Sequence, residues 1–187
     1  MKKNLKKVIS AVIALAISAS AFATVSFAKT FTDVASTASY AEAVDVLSAL
    51  GIIDGYEDGS FQPDKTIKRS EAAKIIVAMN NKLATAESRM GTTKFDDVAA
   101  DHWATGYIKM ANQYGIVKGY GDGNFGPSDP VKYEEAIKML VCALGYEPMA
   151  LSKGGWPTGY VAVASQIGLL DGINGAKEGT GAARSLV

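Results

Sequence analysis

The sequence predicts an all-α protein built as an array of helix–loop–helix repeats. The chain repeats itself: residues 103–116 return as residues 156–169, and a more diverged copy spans residues 39–52. Each copy carries apolar side chains at intervals of three or four residues, which is the pattern of a helix that buries one face. Internal repeats of this kind decide the architecture before any local assignment is made.

The N-terminal residues predict a secretory signal peptide. Four lysines without an acidic residue precede an apolar run at 8–17 that is too short to span a bilayer, and the small residues Ser26 and Ala28 follow it. We expect cleavage after Ala28, with Ala23 as a second possible site, and no stable membrane insertion of the processed chain. An uncleaved signal anchor is the alternative interpretation.

The first helix of each repeat carries one apolar stripe. In chain order the three stripes are Tyr40, Ala43, Val44 and Leu47, then Trp103, Tyr107, Met110, Ala111 and Tyr114, then Trp156, Tyr160, Val163, Ala164 and Ile167. Gly51, Gly115 and Gly168 follow these stripes and precede an apolar residue, as a left-handed helix cap requires. We therefore expect the chain to turn at each of these glycines.

A glycine-rich loop and a second helix follow in the first two copies. Residues 55–63 return as residues 119–127 without a gap, each with a Tyr-x-Asp-Gly-x-Phe pattern. The apolar stripes of the second helices are Ala72, Ile75, Ile76, Met79 and Leu83 in one copy and Ala136, Ile137, Leu140 and Leu144 in the other. Two amphipathic helices do not close a core alone, so the copies are expected to stack against their neighbours.

The repeats divide the chain into five parts. We expect a signal peptide at 1–28, a first repeat at 29–83, a connecting segment at 84–94, a second repeat at 95–145 and a third repeat at 146–187. The third repeat reaches Val187 just where its second helix is expected to begin. We therefore expect this repeat to be incomplete, as in a fragment or a truncated product.

Charge and composition argue against several classes of function. Without the four lysines of the signal peptide, 15 basic side chains face 19 acidic ones, so nucleic-acid binding is not expected. Cys142 is the only cysteine and lies in an apolar stretch, which argues against a disulfide or redox chemistry. His102 is the only histidine, which leaves little for a catalytic triad or a multi-histidine metal site. We expect no enzyme activity, no metal and no cofactor.

The motifs of the second repeat resemble the S-layer homology family. In order they are Phe95-x-Asp97-Val98, His102-Trp103-Ala104 and Gly115-Ile116-Val117-x-Gly119-Tyr120-x-Asp122-Gly123-x-Phe125-x-Pro127. The resemblance covers residues 30–187 and implies three helix–loop–helix repeats in a pseudo-threefold bundle. It also implies a secreted protein of the cell wall or S-layer surface that binds a secondary cell-wall polysaccharide attached to peptidoglycan, often one with pyruvylated sugars. Self-assembly is a further possibility.

The family signature Thr-Arg-Ala-Glu places an arginine in a groove between repeats, where it meets an acidic sugar. The matching segments here are Lys68-Arg69-Ser70-Glu71 and Ala183-Arg184-Ser185-Leu186. The resemblance therefore implies Arg69 and Arg184 as ligand-binding residues, with Lys68 beside the first. The second repeat has Tyr133 in place of the arginine, so one groove is expected to be silent. Lysine in place of threonine also removes the hydroxyl of a capping box.

A guanidinium offers a pyruvate carboxylate two parallel charged hydrogen bonds. The helix N-terminus behind each arginine is expected to add free N–H donors. A plain surface salt bridge is the alternative role for both arginines. Trp103 and Trp156 are candidates for stacking on sugar faces, and a core or groove-wall role stays open for both. Asp33 and Asp97 are expected to cap or order the turn that follows them, or to contact the groove.

These features favour non-covalent anchoring of a secreted protein to an anionic cell-wall polysaccharide. One alternative is a structural surface-layer or protein–protein interaction module, in which the arginines pair with a neighbouring protein. Another is the anchor fragment of a larger surface hydrolase whose catalytic segment lies elsewhere.

Overall fold

The computed structural model describes residues 29–187, and the predicted signal peptide lies outside the described residues. Seven α-helices make up the regular structure there, together with one 3₁₀-helix at Arg184–Leu186. The α-helices are α1 (Ala41–Ala49), α2 (Arg69–Met79), α3 (Leu83–Glu87), α4 (Thr105–Gln113), α5 (Tyr133–Ala143), α6 (Glu147–Ser152) and α7 (Thr158–Gln166). The all-α prediction is confirmed for this part of the chain. None of these helices has both the length and the apolar character needed to cross a bilayer.

The helices of neighbouring repeats pack against each other. Helix α2, the second helix of the first repeat, packs against α4, the first helix of the second repeat, and α5 packs in the same way against α7. Helices α2 and α5 also touch. The predicted stripes supply part of these contacts, because Ile76 of α2 and Met110 of α4 are buried in one cluster. Ile108, outside the predicted stripe, is also fully buried there, whereas Trp103 and Tyr114 of that stripe are about half exposed. Each large aliphatic side chain buried in this way contributes about 1.5–3 kcal/mol.

A closed ring of backbone hydrogen bonds joins three buried residues. Each of them lies two positions before the start of a second-helix segment. The Ile67 N–H donates to the Ala182 carbonyl at 3.0 Å, and the Ala182 N–H donates to the Val131 carbonyl at 2.8 Å. The Val131 N–H donates in turn to the Ile67 carbonyl at 2.9 Å. All three residues are at most 1% exposed. Because unpaired buried backbone groups cost free energy, the ring fixes how the three repeats meet.

The segment between the first two repeats contains structure that the sequence alone did not indicate. Helix α3 packs against α4, with Ala86 fully buried. It begins at Leu83, so the assignment of Leu83 to the second helix of the first repeat was wrong, because that helix ends at Met79. A Cβ added at Gly106 of α4 would run into the Ala86 carbonyl oxygen, so the two backbones approach as closely as glycine allows. Helices α6 and α7 repeat this contact, with Gly159 against the Ala150 carbonyl.

Asp33 and Asp97 bind the backbone of the glycine-rich loops, although these loops lie far from them in the sequence. The Asp97 carboxylate accepts the backbone N–H groups of Phe125 at 2.8 Å and Gly126 at 2.7 Å. Asp33 accepts the equivalent N–H groups of the first loop, both at 2.7 Å. The expectation that these residues order the turn directly after them was therefore wrong. Their partners lie 28 and 29 residues further along the chain.

The Asp33 contact predicts a response to acid. Burial raises the pKa of Asp33, but the hydrogen bonds from the Phe61 and Gln62 N–H groups lower it, and the net pKa lies below 3.8. A carboxyl whose folded pKa is depressed contributes stability above its unfolded pKa and loses it as pH falls through the folded value. We expect the amide chemical shifts of Phe61 and Gln62 to stay constant down to about pH 4 and to move below it.

Asp33→Asn is the matched control for this titration, because it keeps the side-chain shape and removes the titrating group. The two amide shifts are expected to lose their acid-dependent step in this variant. A step with its midpoint above pH 3.8 in the unmodified protein would contradict the prediction.

Candidate functional site

Arg69 and Arg184 occupy matching positions at the start of second-helix segments. The Nε of Arg69 donates to the Phe125 carbonyl at 2.8 Å, and the Nε of Arg184 donates to the Phe61 carbonyl at 2.9 Å. Phe61 and Phe125 are themselves equivalent residues of the two glycine-rich loops. Each arginine therefore reaches out of its own repeat and into the loop of another repeat.

Aromatic rings fix both guanidinium groups. The guanidinium carbon of Arg69 lies 4.6 Å from the Tyr120 ring centre and 4.9 Å from that of Phe125. The guanidinium carbon of Arg184 lies 4.8 Å from the Tyr56 ring and 5.0 Å from the Phe61 ring. These distances are within the range of about 6 Å for cation–π attraction. Arg69 is 8% exposed and the side chain of Arg184 is 7% exposed, so both are preoriented and largely desolvated.

The backbone N–H groups at these helix starts are not free. The Arg69 N–H donates to the Asp129 carbonyl at 3.0 Å, and the Arg184 N–H donates to the Lys65 carbonyl at 2.9 Å. The next residues, Ser70 and Ser185, donate in the same way to loop carbonyls. The expectation of free N–H donors for an anion was therefore wrong at these positions. Carbonyl groups of a neighbouring repeat accept these N–H groups. The guanidinium is therefore the group that can donate to an anion at each position.

Lys68 is the exposed residue at the N-cap of α2, and its side chain forms no described contact. Its backbone N–H donates to the Glu71 Oε2 at 2.9 Å, and Lys132 and Glu135 repeat this contact at 2.9 Å before α5. Half of a capping box is therefore present. The other half needs a side-chain acceptor that lysine does not have.

One open groove of about 710 Å³ contains Arg184 and is called the Arg184 groove here. Its lining residues are Ile52, Ile53, Asp54, Gly55, Tyr56, Glu57, Asp58, Gln62, Glu71, Lys74, Ile75, Trp103 and Arg184. Trp103 is 47% exposed, which excludes a core position for this ring. The structure thus brings together two of the predicted site residues, Arg184 and Trp103, from different repeats.

Ion pairs and a tyrosine organise the Arg184 groove. Lys74 Nζ lies 2.7 Å from Asp54 Oδ2, and Arg184 Nη1 lies 3.7 Å from Glu71 Oε2. The Tyr56 hydroxyl donates to Glu71 at 2.9 Å. Burial and this hydrogen bond raise the pKa of Tyr56 to about 12, so the phenol stays protonated at neutral pH and keeps Glu71 in place.

The residues equivalent to Arg184, Tyr56, Phe61, Lys74 and Trp103 are called the Arg69 cluster and are Arg69, Tyr120, Phe125, Lys138 and Trp156. Arg69 contacts the two rings of Tyr120 and Phe125, and Lys138 contacts Trp156. The two sets are grouped because equivalents from both line one groove around Arg184. Lys138 Nζ lies 5.3 Å from the Trp156 ring centre, and Trp156 is 49% exposed. The Tyr120 hydroxyl donates to Asp129 at 2.9 Å. Trp156 therefore also lies at the surface and not in the core, beside a cation.

The two tyrosines and Lys138 were visible in the sequence but were not recognised as site residues. Tyr56 and Tyr120 belong to the repeated loop motif, and this repetition was the available signal. Nothing in the sequence connected Lys138 with Trp156, because the contact joins two different repeats.

Tyr133 replaces the arginine in the second repeat and lies in a different environment. Its side chain is partly buried against an apolar cluster that includes Ile137 and Val141. Its N–H donates to the Thr180 carbonyl of the third repeat at 2.9 Å, so this helix start also contacts a repeat other than its own. No guanidinium is available at this position. It stays a prediction that the groove at Tyr133 does not bind the ligand.

The residues that catalysis or metal binding would need are engaged elsewhere. His102 Nδ1 accepts the Ala104 N–H at 3.1 Å and so shapes the turn before α4. Burial raises the pKa of the Cys142 thiol to about 11, which keeps it as an unreactive thiol at neutral pH. Within residues 29–187, no group of three or more histidine, cysteine or acidic side chains is placed to hold a metal.

Fold and site together define a class of protein: a helical repeat module with arginine–aromatic clusters between its repeats. The sequence model of the S-layer homology domain matches residues 30–73 and 94–137. The chain belongs to the S-layer homology family, and the resemblance of its motifs is confirmed.

Curated relatives carry names of the same kind. A "Surface layer protein" of Brevibacillus choshinensis is 36% identical over 93% of this chain, and a "Cell surface protein" of Thermoanaerobacter kivui is 38% identical over 95% of it. A "Cellulosome-anchoring protein" of Acetivibrio thermocellus is 31% identical over 64% of the chain. The matches span 15%, 23% and 27% of these three proteins. The comparisons place the chain at the cell surface or in the cell wall.

Proposed function

We propose that the chain anchors a larger surface protein to the bacterial cell wall by binding an anionic secondary cell-wall polysaccharide, with a pyruvate-bearing sugar as the recognised group. The observation that carries the proposal is the state of Arg69. It is 8% exposed and held by the Phe125 carbonyl through Nε, yet its Nη1 and Nη2 have no hydrogen-bond partner among residues 29–187. A largely desolvated cation of this kind calls for an anion from outside.

The free end of Arg69 is accessible to a ligand. No fully buried side-chain nitrogen or oxygen in the described part of the chain lacks a partner, so the unpartnered Nη atoms keep contact with solvent. They form one edge of a planar fork, and this edge fits the two oxygens of a carboxylate. The aromatic stack fixes the plane of the fork before binding, which lowers the entropy lost when the ligand docks.

The half-exposed indoles supply the second element of carbohydrate recognition. Trp103 lines the Arg184 groove, and Trp156 belongs to the Arg69 cluster. A flat, partly exposed ring offers apolar contact area to the face of a sugar, while the arginine binds its acidic substituent. In this proposal one repeat supplies the arginine and another supplies the tryptophan.

We also propose that the three repeats form a pseudo-threefold bundle. The closed ring of hydrogen bonds through Ile67, Val131 and Ala182 supports this arrangement, since each residue has the same donor and acceptor role. The arginine contacts support it as well, because the first repeat reaches the second and the third repeat reaches the first. The predicted boundaries at 83, 94 and 145 stay part of this proposal.

Cosedimentation with cell-wall sacculi tests the function. The protein is expected to pellet with sacculi that carry their polysaccharide and to stay in solution with sacculi from which hydrofluoric acid has removed it. The double variant Arg69→Ala/Arg184→Ala is expected to bind at least about tenfold more weakly, because it removes charged hydrogen bonds. Its thermal unfolding, compared with that of the unmodified protein, separates lost binding from lost folding.

Equal binding to both kinds of sacculi would contradict the proposal. It would favour a structural or protein–protein interaction module instead.

A further inference from the structure

The Arg184 groove and the Arg69 cluster differ in charge at two equivalent positions. Asp54 lines the Arg184 groove, whereas Lys118 stands 64 residues further on at the matching place. The matching lysines Lys74 and Lys138 are present in both repeats. Glu57 also lines the Arg184 groove, whereas its equivalent is Gly121. One charge reversal and one missing carboxylate therefore separate the two sites.

The two cations of the Arg184 groove already have carboxylate partners. Asp54 pairs with Lys74 at 2.7 Å, and Glu71 lies 3.7 Å from Arg184. Glu57 and Asp58 also line this groove, so four carboxylates face two cations there. An anionic ligand would have to displace the existing pairs and approach these carboxylates.

The two cations of the Arg69 cluster have no such partners. Neither Arg69 nor Lys138 forms an ion pair with a carboxylate of residues 29–187. Glu135 accepts the Lys132 backbone N–H and Asp129 accepts the Tyr120 hydroxyl, and neither carboxylate lies within ion-pair distance of Arg69 or Lys138. Among residues 29–187, the contacts of Lys138 Nζ are with the rings of Trp156 at 5.3 Å and Tyr160 at 5.6 Å.

Lys118 stands where the Arg184 groove has Asp54, so the position that pairs with Lys74 in that groove offers Lys138 no carboxylate. The Lys118 Nζ lies 3.8 Å from Glu147 Oε1, and its side chain is 66% exposed. An exposed contact of this length contributes little. Glu147 is also engaged by the Tyr160 hydroxyl, which donates to it at 3.2 Å.

We infer that the Arg69 cluster is the principal anion site, an inference that rests on the proposed function. Lys138 is the second cation of this site and a specificity-determining residue. The Arg184 groove then contributes sugar contacts but little affinity for the anionic group. Lys138 stands beside the half-exposed Trp156, so it meets the acidic substituent of a sugar stacked on that ring. The chemical class that this cluster selects is a sugar bearing a carboxylate.

The two tryptophans of the chain report on the two sites separately. Trp156 belongs to the Arg69 cluster and Trp103 to the Arg184 groove, so their indole N–H signals can be followed in one NMR titration. The probe is a methyl hexopyranoside with a 4,6-linked pyruvate ketal, compared with the same glycoside without the ketal. The Trp156 signal is expected to respond to the ketal probe at a concentration at least about tenfold lower than the Trp103 signal.

Three variants sharpen the test, and thermal unfolding checks the fold of each. Lys138→Gln is expected to weaken the Trp156 response about fivefold to tenfold, whereas Lys82→Gln, which changes an exposed lysine outside both sites, leaves it unchanged. Asp54→Asn releases Lys74 from its pair and is expected to strengthen the Trp103 response to the ketal probe.

A Trp103 response equal to or stronger than that of Trp156 would overturn the inference, as would an unchanged titration in Lys138→Gln. Silence of both indoles while the protein still pellets with polysaccharide-bearing sacculi would also overturn it and leave the proposed function standing. Loss of that sedimentation in the unmodified protein would instead overturn the proposed function.

Discussion

Replacing Phe125 by alanine is expected to lower the free energy of unfolding by about 3–5 kcal/mol. Phe125 is fully buried and packs against Phe95, with ring centres 5.4 Å apart. One face of its ring also makes a cation–π contact with the guanidinium of Arg69. Truncation would leave a cavity between the loop and the core, because the loop backbone is held by Asp97 and has little freedom to collapse. Urea denaturation followed by circular dichroism measures the change.

Tyr114→Ala is the control for this prediction. Tyr114 is an aromatic residue that is 50% exposed, so its truncation is expected to change the unfolding free energy by no more than about 1 kcal/mol. A loss below about 1.5 kcal/mol for Phe125→Ala would contradict the packing described for this loop. It would mean that Arg69 and Phe95 rearrange to fill the space.

The helices were predictable because their signal is local. A stripe with a period near 3.6 requires only residues of the same segment, and α4 and α7 appear where the sequence placed them. The first residues of these helices were not predicted. Both helices begin at a threonine two residues after the tryptophan that opens the motif, at Thr105 and Thr158. Apolar spacing identified the buried face only in part, because Trp103, Tyr114 and Trp156 of the predicted stripes are about half exposed, and it did not identify the first residue of either helix.

The candidate site was predictable only in part, because its contacts run between repeats. The resemblance singled out Arg69 and Arg184, yet their carbonyl partners lie 56 and 123 residues away in the chain. No local pattern contains that information. The prediction of free N–H donors was wrong for the same reason, since the acceptors at Asp129 and Lys65 belong to a different repeat from the donors.

Replacing Gly106 by valine is expected to lower the free energy of unfolding by about 3 kcal/mol. Gly106 lies in α4, where the backbone of α3 passes so close that even a Cβ would overlap the Ala86 carbonyl oxygen. The obstacle is backbone, so rotation of a side chain does not relieve it. The two helices would have to separate, and the fully buried Ala86 and Ile108 would lose contacts. Thermal and urea unfolding measure the loss.

The sign of the effect distinguishes this packing argument from helix propensity. In an exposed helix, glycine to alanine stabilises by about 1 kcal/mol, so Gly106→Ala would be favourable if α3 were not seated on α4. We expect it to destabilise instead, by less than Gly106→Val does. Ser165→Ala on the exposed side of α7 tests propensity alone and is expected to be neutral or slightly stabilising. Stabilisation by Gly106→Ala would show that the segment between the first two repeats is a loose linker. Destabilisation by both Gly106 variants would show that α3 is part of the folded core. Only close packing of α3 on α4 would make glycine to alanine lower the free energy of unfolding, which helix propensity alone would raise.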